Sequence, residues 1–135
     1  MNVYLSIPIK GRDDKDIEYS ISQLTKLAKV YYGEDIKVSN TYDGNDIKCD
    51  TKEAVVSYIT KASENLATAD VFVCISNLLG FAECKIERAV ADAYGLQVLK
   101  ASLVFAAPDL IKNESAEMRD DPEKEEEVTK DEQAD

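Results

Sequence analysis

The chain has 135 residues, 44% of them apolar and 32% charged, with a formal net charge of −11 at pH 7. That length supports one hydrophobic core, since two would each be too small to stabilise themselves easily. The acidic balance excludes a general affinity for nucleic acid polymers, which depends on Lys and Arg displacing counterions, but it leaves a free nucleotide admissible.

No apolar run approaches the ~20 residues that cross a bilayer, and the N-terminus opens on a strand-like segment with no basic region or signal core. A cytoplasmic protein with no membrane partner is expected. Cys49, Cys74 and Cys84 lack paired metal-ligand spacing, and no histidine completes a mixed zinc site. They read as free, mostly buried thiols, and nothing calls for a metal or an organic cofactor.

In chain order, Val3 to Ile7 is a β-rich run that Pro8 and Gly11 punctuate into a loop. Asp13 or Asp14 then caps a helix whose Ile17, Ile21, Leu24, Leu27, Ala28 and Tyr31 recur at helical spacing, until Gly33 supplies a stop. Ile36 to Ser39 is a thinly apolar strand whose lysine suits a sheet edge. Asn40 to Asp50 is a polar loop, after which Asp50 or Thr51 caps a second helix with Val55, Ile59, Ala62 and Leu66 on one face.

Asp70 to Ile75 is nearly continuous in apolar residues, as in a central parallel strand covered on both faces. A third helix follows Gly80 to Glu83, with Ile86, Ala89, Val90 and Ala93 expected to pack inward, and Gly95 closes it before a strand at Val98 and Leu99. Leu103 to Phe105 either extends that strand or forms another. The alternation predicts an α/β domain over residues 1–112, a small flavodoxin- or Rossmann-like three-layer sandwich with a mainly parallel sheet of four or five strands. From Asn113 to Asp135, eleven acidic and three basic residues hold eight of the eleven net negative charges, and too few apolar residues remain there to offset ordering entropy. This stretch is expected to be a disordered acidic tail.

Ligands of parallel sheets collect at the carboxyl ends of the strands, which directs attention to Tyr4 through Arg12, to Ser76 through Gly80, and to Glu87 near the start of the third helix. A carboxylate in a first helical turn is held and kept ionised by the helix dipole and nearby N–H groups. Placed at the ligand-facing end of a sheet, it could attack an anomeric carbon to form a covalent glycosyl intermediate. Spacing alone fits an ordinary helix-start glutamate as well. Lys10, Gly11 and Arg12 could hold a phosphate by charge and close backbone approach, or form a solvated turn; a single glycine makes neither a P-loop nor a dinucleotide fingerprint.

Three stretches taken together, Tyr4 to Arg12, Ala69 to Val73, and Gly80 to Glu87, resemble the nucleoside 2-deoxyribosyltransferase family in order and spacing. The resemblance covers roughly residues 2–101 and is carried best by Glu87 followed by Ala91, Gly95 and Val98. It implies Glu87 as nucleophile, Asp70 near the base and the glutamate, and Tyr4 orienting the glutamate or sugar. Similarity to the related deoxynucleoside 5'-monophosphate N-glycosidases implies that Ile9, Lys10, Gly11 and Arg12 meet phosphate; Ser6, Ser76, Asn77 and Gly80 are further substrate-site candidates by their place after the strands. Short bacterial and phage proteins with a cysteine at the position of Cys84 resemble the chain at least as well, and they imply no established reaction.

Two departures stand out. Phe81 occupies a position where the transferases carry an aspartate and the monophosphate hydrolases a serine, and the loop from Ser76 to Gly80 is shorter than in those enzymes. The leading expectation is cleavage or transfer of the N-glycosidic bond of a 2'-deoxynucleoside or its 5'-monophosphate, without a cofactor. If Lys10 and Arg12 face the pocket, the substrate carries a phosphate; otherwise a free nucleoside fits better. The competing expectation is a non-catalytic nucleotide-binding module, and a third is an interaction protein whose acidic tail mimics a polyanion. The resemblance also implies a homo-oligomer.

Overall fold

The computed structural model describes residues 1–44, 48–78 and 80–111. The predicted acidic tail, and parts of the 40–50 and 76–80 loops, lie outside the described residues.

Strands and helices alternate: β1 (Asn2–Leu5), α1 (Asp14–Tyr32), β2 (Lys37–Ser39), α2 (Lys52–Leu66), β3 (Val71–Ile75), α3 (Ala82–Ala93), β4 (Gln97–Ala101) and a short α4 (Leu103–Ala106). The strands form a four-stranded sheet in the order β2-β1-β3-β4, parallel at every pairing. β2 takes the edge, as its lysine suggested, and β3 is buried at all of its residues, as a strand covered on both faces must be.

Side-chain alternation along β1 and β3 divides the core in two. Val3, Leu5, Val71, Val73 and Ile75 pack with Ile17, Leu24 and Ala28 of α1 and with Ala106 of α4. On the other face Tyr4, Phe72 and Cys74 pack with Ala62 and Leu66 of α2 and Ala91 of α3. The result is the three-layer, Rossmann-like α/β sandwich that the alternation predicted. Strand order reverses between β1 and β3, so the switch-point crevice opens at the carboxyl ends of those two strands.

Local chemistry sets the boundaries. Thr51 caps α2, its Oγ1 accepting from the Ala54 N–H at 3.1 Å. Gly33 ends α1 at φ 97°, a backbone conformation that few other residues adopt, and its N–H donates to Lys29 at 2.9 Å. Among the described residues, no helix is long and apolar enough to cross a membrane.

Two expectations are corrected. Leu103 to Phe105 is helical, because the Ser102 hydroxyl accepts from the Phe105 N–H at 3.2 Å and starts a turn where a strand extension was one expectation. More consequentially, α3 is rotated from its predicted phase. Ile86, Ala89 and Ala93 are exposed; Val90 packs, half-buried, against the Tyr4 and Phe72 cluster as expected, and the fully buried face is Glu83, Cys84, Glu87 and Ala91. Apolar periodicity placed the wrong stripe inward because two carboxylates occupy the core-facing positions, where donors from β1 and its loop receive them.

Candidate active site

β1 and the residue that follows it supply the first two groups. The Tyr4 ring stacks on its register partner Phe72, with centroids 6.1 Å apart and an interplanar angle of 16°, which fixes the phenol on the α2 and α3 side of the sheet. Ser6 lies two residues on, on the same face by strand alternation, with its backbone held by a 2.8 Å bond from its N–H to Val73.

Both hydroxyls converge on Glu87, which has no solvent exposure. Ser6 Oγ donates to Oε1 at 2.6 Å and Tyr4 Oη donates to Oε2. With Glu87 ionised, the Tyr4 proton is committed to the carboxylate, and Thr41 Oγ1, 2.7 Å away, is then the donor to Tyr4. Thr41 in turn accepts from Asn65 Nδ2 at 3.4 Å. The donors therefore point one way, from α2 through the loop after β2 and through β1 to the glutamate on α3, an arrangement in which each bond polarises the next.

Burial dominates the electrostatics. Removal from water pushes Glu87 up to about 8 from 4.5; the hydrogen bonds from Ser6 and Tyr4 pull it back, and Glu83 raises it further. Glu87 is therefore mostly protonated at neutral pH. It is also the sixth residue of α3, beyond the first turn, so the expected dipole-held, ionised carboxylate is corrected. Burial likewise raises the Tyr4 phenol and the Cys84 thiol, with Glu87 adding to both, and pushes Cys49 up to about 12. These groups stay protonated, and the cysteines are free, as read from sequence.

The first-turn acid of α3 is Glu83, which the sequence reading passed over. It too has no exposure. Its Oε2 accepts from the backbone N–H groups of Ile9 at 2.8 Å and Lys10 at 3.2 Å. The signal that could have found it is its spacing from Glu87: acids at i and i+4 share a helix face, so if one faces the site, the other does as well.

No family model, curated protein or solved structure matches this chain. What the site can do therefore rests on its own geometry.

That geometry brings together Tyr4, Ser6 and Glu87, all named from sequence, and adds Thr41, Asn65 and Glu83. It separates others. Asp70 is exposed at the N-terminal end of β3, where its Oδ2 accepts from the Asn2 N–H at 2.8 Å. It braces the start of two strands, away from the carboxyl ends, because the residue that opens a parallel strand sits at the end opposite the crevice.

Arg12 is likewise corrected as a phosphate ligand. Its side chain is 1% exposed, with Nε and Nη2 on Asp109 at 2.9 and 2.6 Å, Nη1 on the Pro8 carbonyl at 3.0 Å, and Nη2 also on the Asp16 carbonyl and Ser20 Oγ. The amides of Ile9 and Lys10, the other expected phosphate contacts, already hold Glu83.

The Lys10 residue is exposed, and Gly11 is exposed at φ 72°, where the loop needs a left-handed turn. Ser76, half-buried, and Asn77 and Gly80, both exposed, lie at the carboxyl end of β3 without a hydrogen bond to Glu87. Among the described residues, no group of three or more Cys, Asp or Glu side chains is arranged to hold a metal ion.

Proposed function

We propose that the chain cleaves or transfers the N-glycosidic bond of a free 2'-deoxynucleoside, with Glu87 as nucleophile and Tyr4 and Ser6 orienting it. The observation that carries this reading is the buried Glu87 carboxyl group held at both oxygens by hydroxyls of β1 and of the residue just after it, at the carboxyl end of the sheet beside the switch point. In its ionised form Glu87 attacks C1' of the sugar, and the C1'–N bond breaks with its electron pair leaving on the base. Water then resolves the glycosyl ester in hydrolysis. Net, the hydroxyl of water ends on C1' and its proton on the base, while in transfer a second base takes the place of water. Glu87 has no solvent exposure in this structure, so a substrate reaches it only after the groups around it move.

A phosphate-free substrate is favoured by the engagement of Arg12 with Asp109 and by the Glu83 carboxylate on the Ile9 and Lys10 amides. A carboxylate already there repels a second anion. The same closure supports a second reading, a non-catalytic nucleoside-binding module, favoured by the absence of exposure at Glu87 and by an apolar Phe81 at the start of α3.

The test incubates the protein with deoxynucleosides and their 5'-monophosphates and follows free base by chromatography, with Glu87→Ala as control. The expected outcome is release from free deoxynucleosides, little from the monophosphates, and none by the variant. Nucleoside binding without any release would sink the enzyme and leave the binding module.

A further inference from the structure

The groups around Glu87 differ in how firmly they are held. Each of its two hydroxyl donors belongs to or touches a loop at the carboxyl end of the sheet: Ser6 opens the loop after β1, and Tyr4 Oη lies 2.7 Å from Thr41 Oγ1 in the loop after β2. The first loop is locked by the buried Arg12 guanidinium and by the Glu83 carboxylate on the Ile9 and Lys10 amides. The second is held from its exposed side. Tyr42, next to Thr41, donates from Oη to Asp14 Oδ1 at 2.6 Å, in the first turn of α1. Lys48 reaches the same oxygen at 3.7 Å, and Asp43 pairs with Lys61 of α2 at 3.0 Å. All four charged side chains are exposed, where ion pairs contribute little. Toward the core, Asn65 Nδ2 meets the Asn40 carbonyl and Thr41 Oγ1 only at 3.4 Å, long for such bonds.

Tyr42 also faces a second acceptor. Its hydroxyl lies 2.7 Å from the Gly44 carbonyl oxygen, in its own loop. A phenol has one proton, so Asp14 and Gly44 compete for it. Releasing Asp14 leaves the tyrosine with a partner that travels with it, while the exposed carboxylate turns to water. That exchange strands no buried polar group.

We propose that Asn40 to Gly44 is the strap that swings aside to admit the ligand to Glu87, and that Asp14 is its latch. The inference rests on the site of the deoxynucleoside reading and not on its reaction. Opening withdraws Thr41 from Tyr4, so the donor relay to Glu87 is complete only when the strap is closed. An exposed carboxylate at the start of α1 thereby governs a buried one on α3.

The experiment is timed labelling of the native full chain with a small maleimide, the modified cysteine being located by peptide mass spectrometry. All three cysteines are buried, so each reacts only when its surroundings open. Cys49 follows the strap in the same loop, Cys84 shares the buried face of α3 with Glu87, and Cys74 on β3 is the reference. In Tyr42→Phe and in Asp14→Ala, labelling of Cys49 and Cys84 is expected to quicken about tenfold, as for loss of one hydrogen bond to a charged group, with Cys74 unchanged. The double variant is expected to label no faster than the faster single, because both substitutions remove the same bond. Tyr42→Phe keeps the ring against the core.

Rates unchanged in both variants would overturn the latch. So would equal quickening at all three cysteines, which marks loss of stability throughout the fold, or quickening at Cys49 alone, which marks a loop that opens without uncovering Glu87. Labelling needs no ligand. A latched strap without base release would uphold the gate while the glycosyl-transfer reading fell, and base release with unchanged labelling would do the reverse.

Discussion

Glu87 is held by donors that favour its charged form within a core that disfavours it. Tyr4 is the residue where this balance can be tested. Tyr4→Phe keeps the ring on Phe72 but removes the bond to Glu87 Oε2 and strands the Thr41 hydroxyl. The expected cost is about 1–3 kcal/mol, measured by urea unfolding. Because the lost bond lowers the Glu87 pKa, the variant is also expected to need higher pH to ionise Glu87. On the proposed reaction, the wild-type kcat/KM for base release rises with pH and levels off above about 8. In Tyr4→Phe the same limb moves upward. A limb unmoved by the substitution would mean that Tyr4 does not act on Glu87 ionisation.

The elements that carry the site are placed by contacts of ordinary kind, with one exception. α2 starts at Thr51, and Thr51→Ala is expected to cost about 1 kcal/mol in chemical denaturation. The exception is the loop after β1, which is tied to the rest of the domain by Arg12. All three of its guanidinium nitrogens are engaged, joining the loop to α1 and to Asp109 beyond α4. Arg12→Ala leaves Asp109 and two carbonyls without that partner. It is expected to cost about 3 kcal/mol, the lower end of the range for breaking a buried pair, since Asp109 is 23% exposed. Arg12→Lys is expected to recover only part of it, because an ammonium group cannot span the same set of acceptors. An Arg12→Ala protein as stable as wild type would reopen the phosphate role for this residue.

For the molecule as a whole, Glu87 couples folding to pH in a direction opposite to that of a salt-bridged carboxylate. Its folded-state value of about 8 lies above its ordinary 4.5, so between those limits the native state holds a proton that the unfolded chain has lost. This contribution to stability is complete below about 4.5 and is lost as pH rises through about 8, with a limiting slope of about 1.4 kcal/mol per pH unit. The chain has no histidine to titrate in the same window. Glu87→Gln is therefore expected to flatten the fall in stability between pH 5 and 8 and to gain on wild type as pH rises. Parallel stability profiles for the two proteins in chemical denaturation would show that Glu87 is not protonated in the fold.

Fold class was legible in the chain because it depends on short-range regularities. Alternating β-rich runs and amphipathic stretches, punctuated at Gly33 and Gly95, are enough to require a parallel sheet between helices. The fully apolar run at Val71 to Ile75 suffices to put that strand inside. Tyr4 and Glu87 were legible as candidates through resemblance, since each lies within a quoted motif. Only the tertiary structure decided which polar groups face each other. Hydrophobic periodicity carries no record of a carboxylate that is buried because donors from another element await it, so α3 was phased on Ile86 when Glu83 and Glu87 turn inward. Arg12 and Asp70 could not be assigned from composition or spacing either: their partners Asp109 and Asn2 are 97 and 68 residues away in the chain. A charge is read as a ligand-binding group until folding shows that the protein itself has already paired it.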